Sequence, residues 1–261
     1  MIAAATAQET ALALLEARQA RRAAGPLPTN LAPATLSDGI AAHLALARLI
    51  QADPPGGFKI GAIARRMQEN LGIHAPIAGF MRAQDIHPSC ATLRFADFHH
   101  VGVECELAVR LGRDLPPGPC DQATATAAVE ALFPAIEIVE NRYGQDLAAV
   151  GVPTLIADQM FHAAAVVGTD AIWQQTDLAT VRGELLLDGV VIDAGVGGDL
   201  LGHPMRALAW LAQSPEVASF GGLGRGQIVM LGSVTPPLWL SSTCHITVRF
   251  EGLGEVDLTF A

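Results

Sequence analysis

Charge is scarce in this chain. Asp, Glu, Lys and Arg make up 16% of its 261 residues, against 51% hydrophobic residues. That balance excludes intrinsic disorder and predicts a packed protein with a real core. Positive charge is the scarcer sign, and the formal net charge of −10 excludes a general attraction for nucleic acid or an anionic membrane. An anionic substrate must then be met by local cations or a bound metal. Long apolar runs are missing too. No stretch is long enough to span a bilayer, and the opening MIAAATAQETALALLEARQA, interrupted by Glu9 and Glu16, does not read as a signal peptide. Cysteine is limited to Cys90, Cys105, Cys120 and Cys244, with no CxxC spacing; in apolar surroundings they read as buried, reduced thiols of a cytoplasmic protein. A phosphate loop is also lacking. Gly221-Gly-Leu-Gly-Arg-Gly226 precedes a strand, and no phosphate-binding lysine follows the Gly195–Gly198 run, so neither a Rossmann nor a P-loop context exists.

What is present begins with helices. Residues 6–22 carry Leu12, Leu14 and Leu15 among Glu16, Arg18, Arg21 and Arg22 and predict an amphipathic helix ended by Gly25 and Pro26. A second helix is expected after Ser37, with Asp38 in its first turn. From Phe58 the pattern turns to short strands bounded by Gly, Pro, Asp or Asn: FKIGAI, ATLRF, VGVECELAVRL, LFPAIEIVEN, AAAVVG, GELLLDGVVID, QIVML, HITVRFEG and GEVDLTF. Helices are expected at IARRMQENL, DQATATAAVEAL and HPMRALAWLAQS. Runs of strands with a few helices predict an α+β domain whose sheet curls around a central site. One domain over 1–261 is expected, with a helical segment at 1–55 and a β-roll over 56–261.

The most informative stretch is Val101-Gly-Val-Glu-Cys-Glu-Leu107. Strand alternation puts Glu104 and Glu106 on one face and Cys105 and Leu107 on the other. Glu137, between Ile136 and Ile138, is a third acid in an apolar strand. Such carboxylates are costly to bury without a cation. A hard divalent ion answers all three, and octahedral coordination would leave about three positions for water and a chelating 2-oxo acid. The other reading is that the glutamates face solvent. Lys59, in Gly57-Phe-Lys-Ile-Gly61, either attracts a substrate carboxylate, serves in proton transfer, or snorkels from a strand start. Of the His99-His100 pair, at most one could join the glutamates. His74 and His87 are candidate proton carriers, and His203 reads as a structural cap at a helix entry.

Together these segments resemble the 2-keto-4-pentenoate hydratase and 4-oxalocrotonate decarboxylase family, within the fumarylacetoacetate hydrolase superfamily. The matching pieces, in order, are Gly57-Phe-Lys-Ile-Gly61, Met67-Gln-Glu-Asn-Leu-Gly72, Glu104-x-Glu106, Arg113-Asp-Leu-Pro116, Pro134-Ala-Ile-Glu-Ile-Val139, Ala157-Asp-Gln159, Leu201-Gly-His-Pro204, Ala209-Trp-Leu211 and Phe250-Glu-Gly-Leu-Gly-Glu255. The resemblance covers nearly the whole chain.

It implies a mixed β-roll of the fumarylacetoacetate hydrolase C-terminal type behind a helical N-terminal segment, and a homo-oligomer, alternatively one paired with another enzyme of its pathway. It also implies a Mg²⁺ or Mn²⁺ site held by Glu104, Glu106 and Glu137, with Lys59 as the active-site lysine. Asp158 is expected on the substrate side in a catalytic role, and Ser233 on a loop that contacts substrate. The implied activity is that of a metal-dependent lyase of aromatic-compound catabolism. It would add water to a 2-hydroxy-2,4-dienoate to give a 4-hydroxy-2-oxo acid. The alternatives are decarboxylation of an oxalocrotonate-type acid, acylpyruvate hydrolysis, or a non-catalytic 2-oxo-acid-binding subunit. Two departures stand out. Relatives usually carry Asp, an aromatic and Gly where this chain has Ile77-Ala-Gly79, so either another group, His74 or Asp158, has taken over the proton, or the preferred substrate packs an apolar portion on Ile77. The common Ala-Asp-Asn-Ser is replaced by Ala157-Asp-Gln-Met160, with His162 close behind.

Overall fold

Apolar residues on both faces of 101–111 and 129–140 force those segments into the middle of a sheet, where each side has something to bury. The computed structural model describes residues 4–21, 25–144 and 147–261. The chain runs through helices α1 (Ala4–Gln19) and α2 (Leu36–Leu49), strand β1 (Gly57–Gly61), α3 (Arg65–Leu71), then β2 (Ile77–Met81), β3 (Ile86–Pro88), β4 (Ala91–Leu93) and β5 (Val101–Leu111). Next come α4 (Gln122–Ala128), β6 (Val129–Glu140), α5 (Leu147–Val150), α6 (Val152–Ala157), β7 (His162–Val167), β8 (Arg182–Leu187) and β9 (Val190–Val196). The chain closes with α7 (Pro204–Ala212), α8 (Pro215–Ala218), β10 (Ile228–Ser233), β11 (Leu238–Trp239), β12 (Cys244–Phe250) and β13 (Gly254–Phe260).

The strands form two mixed sheets. The larger has the order β2-β1-β10-β5-β6-β7-β3, with β11 on β5; the smaller runs β4-β13-β12-β8-β9 and contacts the back of β5, β6 and β7. β1 pairs with β10 in parallel while β5, β6 and β7 pair antiparallel. This is an α+β β-roll. Cys105, Leu107, Val109 and Ile136 join Val248, Leu258 and Phe260 of the smaller sheet in one core. Each large side chain buried there contributes roughly 1.5–3 kcal/mol. Ala11 and Leu46 of α1 and α2 belong to the same core. The opposite face of β5 and β6 carries Glu104, Glu106 and Glu137 beside a smaller apolar cluster of Ala108, Phe133 and Ala135.

The structure departs from the sequence-based expectations at several places. α1 spans Ala4–Gln19 where a helix is expected over 6–22, and residues 22–24 lie outside the described residues. α2 is capped by Thr35, whose hydroxyl accepts the Asp38 N–H while the Asp38 carboxylate accepts the Thr35 N–H, so the helix starts one residue before Ser37. All four cysteines are free, but only Cys105 is buried. Cys90 is exposed because it sits on the tight turn between β3 and β4 at a left-handed φ of 66°. Among the described residues no helix is long and apolar enough to cross a membrane.

Candidate metal centre and substrate cavity

The register of the central strands assembles the site. Glu104 lies directly opposite Glu137 across β5–β6, and Glu106 is two residues further along the same face. One carboxylate oxygen from each of the three residues lies within 4.8 Å of the others. Glu106 and Glu137 are fully buried, and Glu104 is half-buried at the cavity wall. Burial and the neighbouring Glu137 push Glu104 up to about 8, and burial with both neighbouring acids pushes Glu106 upward as well. Burial works to raise Glu137 too, but Lys59 and His162 hold it below the ordinary carboxylate range.

Lys59 is brought to this cluster from β1. It does not snorkel: only 1% of it is exposed. Its Nζ donates to the Met160 carbonyl at 2.7 Å and lies 3.1 Å from Glu137 Oε1. Two glycines make room for it. A Cβ at Gly79 would stand 3.1 Å from Lys59 Cε, and one at Gly61 would stand 2.8 Å from Met160 Cγ. The Met160 carbonyl is aimed by an unusual backbone, since Gln159, Met160 and Phe161 all have positive φ, of 60°, 45° and 68°.

Ligation of a metal requires all three carboxylates ionised, and against one ammonium that would leave two excess negative charges in a buried space, the charge of one divalent cation. Glu106 Oε1 and Glu137 Oε2 are buried without a hydrogen-bond partner. An all-carboxylate set with free oxygens fits a hard ion such as Mg²⁺ or Mn²⁺.

Two lobes of one cavity open from Glu104. The first, about 370 Å³, is lined by Lys59 and by Val139, Leu147, Phe161 and Trp239. The His100 ring stacks on Trp239 at 4.6 Å. The second, about 750 Å³, runs beneath α3 and is lined by Arg65, Arg66, Asp199, Ser233 and Thr235.

The expected site residues divide accordingly. Glu104, Glu106, Glu137 and Lys59 come together, and Ser233 lines the second lobe. Its hydroxyl is engaged with the backbone, donating toward Cys105 O and Thr235 O and accepting from Thr235 N. Asp158 does not reach the cavity. It is 1% exposed and bonded to Arg18 Nε at 2.6 Å, to Arg142 Nη2 at 2.8 Å and to the Tyr143 hydroxyl at 2.8 Å. Ile77 is also off the cavity wall. Strand register puts it on the face of Lys59, but its side chain packs in an apolar cluster with Leu14, Tyr143, Met160 and Phe161. His74 is exposed and, like His87, lines neither lobe. His203 caps α7, its Nδ1 accepting the Met205 N–H. Sequence reasoning noted His162 only as a departure, although its Nδ1 is 2.9 Å from Glu137 Oε1.

A carboxyl at position 77 would enter packed apolar surroundings. Ile77→Asp is therefore expected to lower the unfolding free energy by about 2 to 5 kcal/mol. An unchanged urea midpoint would mean that the position opens to solvent and lies outside the apolar cluster of Leu14, Tyr143, Met160 and Phe161.

Residues 60–261 match the family described as fumarylacetoacetate (FAA) hydrolase, C-terminal. The chain belongs to that family. Among its curated relatives, 2-keto-4-pentenoate hydratase 2 of Dechloromonas aromatica is 31% identical over 259 residues, covering 98% of each chain. A 4-oxalocrotonate decarboxylase of Pseudomonas putida is 28% identical over 209 residues, covering 78% of this chain and 76% of the relative. The fold is shared with the solved structure of 4-oxalocrotonate decarboxylase from Pseudomonas putida G7 complexed with magnesium and adipate. There the TM-score is 0.91 at 23% identity, covering 100% of this chain and 99% of that one.

Proposed function

We propose that this chain is a Mg²⁺- or Mn²⁺-dependent lyase that hydrates a 2-hydroxy-2,4-dienoate to a 4-hydroxy-2-oxo acid, with Glu104, Glu106 and Glu137 as the metal ligands. The observation that carries the reading is the buried triad of carboxylates with two unpartnered oxygens beside the Lys59 ammonium. When bound, the ion supplies a Lewis acid that polarises the 2-oxo group of the substrate. Lys59 uses two of its three N–H donors on Met160 O and Glu137. The third is left for the substrate carboxylate or for a proton in transit. The lobe beside Lys59 holds the remainder of the substrate, and its Val139, Leu147, Phe161 and Trp239 present an apolar wall that offers no guanidinium among the described residues. An uncharged tail suits that wall, which favours hydration over a reaction that needs a second carboxylate. The relatives named as hydratases support the same choice.

A second reading has its own observation. Arg65 and Arg66 stand on the wall of the larger lobe, where the distal carboxylate of an oxalocrotonate-type acid would find cations, and decarboxylation would follow. The single domain over 1–261 is supported by the core that joins Ala11 and Leu46 to both sheets. The homo-oligomer is supported by the exposed Val190, Val191 and Ile192 on edge strand β9.

Two measurements test the proposal. Calorimetric titration should show that Glu104→Gln and Glu106→Gln each lose most Mn²⁺ affinity, because each removes an anion from a site with few ligands. Unchanged affinity in both variants sinks the metal centre. Turnover of 2-hydroxypenta-2,4-dienoate, oxalocrotonate and acylpyruvates with Mn²⁺ should be fastest for the dienoate. Preferential loss of carbon dioxide from oxalocrotonate would replace the first reading by the second.

A further inference from the structure

His162 has no part in the chemistry above, yet it is 2% exposed and packed directly against Glu137. Its approach depends on an irregularity in the sheet. β7 follows β6 in regular antiparallel register from Ala135 to Ile138, and the register then shifts so that Val139, not Glu140, faces His162. Glu137 and Val139 share a strand face. Without the shift, the side chain at 162 would point to the other side of the sheet. A bulge that re-aims one side chain beside a site is a recognised device of β structure.

The hydrogen bonding is asymmetric. Glu137 Oε1 is approached by both His162 Nδ1, at 2.9 Å, and Lys59 Nζ, at 3.1 Å, whereas Oε2 is buried with no partner. An ionised carboxylate only accepts, so His162 donates from Nδ1, and that bond fixes its orientation. We propose that His162 is a positioning residue for the metal centre: by holding Oε1 from behind, it keeps Glu137 Oε2 turned toward the ion. This rests on the metal-centre reading above. It adds a supporting residue that the ligand set alone does not reveal. Hydrogen bonds behind a ligand commonly contribute about ten- to a hundred-fold in metal affinity.

The test is Mn²⁺ affinity in the absence of substrate, by calorimetry or by the paramagnetic resonance of free Mn²⁺. It compares the parent with Glu106→Gln, His162→Leu, His162→Asn and His162→Gln. Asn places an amide nitrogen where Nδ1 stands and can donate to Glu137. Leu has nearly the same shape but no donor, and Gln carries its amide one bond too far. His162→Leu is expected to bind Mn²⁺ about ten- to a hundred-fold more weakly, with His162→Asn close to the parent. If Leu and Asn bind equally well, the histidine only fills space and the proposal is overturned. Should His162→Leu fail to fold, the Asn–Gln pair carries the comparison, with tighter binding by Asn expected and equal binding overturning the proposal. A Glu106→Gln variant that binds like the parent would instead overturn the metal centre itself. Loss in Glu106→Gln with full affinity in His162→Leu overturns only the positioning role.

Discussion

Asp158→Ala is expected to lower the unfolding free energy by about 3 to 5 kcal/mol, the usual loss when one partner of a buried ion pair is removed. Burial acts to raise the Asp158 carboxyl, but Arg142 and Arg18 hold it below the ordinary range. Both guanidiniums depend on it. Arg142 is almost fully enclosed and makes two side-chain bonds to Asp158 Oδ2, and Arg18 reaches over from the last turn of α1. Removing the carboxylate would leave two charges and the Tyr143 hydroxyl short of a partner around a buried position. Asp158→Asn keeps the shape and one acceptor, so its loss should be smaller. Urea unfolding of the two variants measures both numbers. If Asp158 were instead a free acid waiting for substrate, Asp158→Ala would cost less than about 1 kcal/mol, as exposed pairs do.

The contrast between Asp158 and the three glutamates shows what could be read in the sequence. Glu104 and Glu106 were legible because strand alternation is a local rule: two acids at i and i+2 in an apolar strand must share a face, whatever the rest of the chain does. Glu137 and Lys59 were legible for a related reason, as single charges in apolar strands. The ion-pair setting of Asp158 was not legible because its partners lie 140 and 16 residues away, on α1 and just after β6, and no local pattern announces such a meeting. β2 escaped notice because Ile77–Met81 is buried on both faces. It therefore shows no alternation, and Gly79 within it reads as a breaker. The same blind spot placed Ile77 on the substrate. Once β2 is paired to β1, its residue 77 is seen to fill an apolar cluster. His162 was hidden by a one-residue register shift, and only the folded sheet shows which face a side chain takes after a bulge.

Lys59→Met should reduce kcat/KM for the dienoate by about a hundred- to ten-thousand-fold, the range for loss of a group that handles a proton in the transition state. Methionine has nearly the length of lysine and packs without an ammonium, so the core around β1 should survive. The Met160 carbonyl loses its donor, whereas Glu137 Oε1 keeps His162. Metal binding should not weaken much, because the ammonium that departs is a like charge to the incoming cation. Substrate binding should weaken. Oxalate, a planar dianion able to chelate the metal, is expected to bind the Mn²⁺-loaded Lys59→Met protein more weakly than the parent, because the remaining N–H of Lys59 is no longer there to meet it. Lys59 is the one lysine in the sequence, so the parent labelled with ¹⁵N-lysine gives a single side-chain ammonium signal that reports directly on this site. That signal should move on adding Mg²⁺ and again on adding oxalate. Oxalate affinity unchanged in Lys59→Met, together with an ammonium signal indifferent to oxalate, would show that Lys59 only braces Met160 and Glu137.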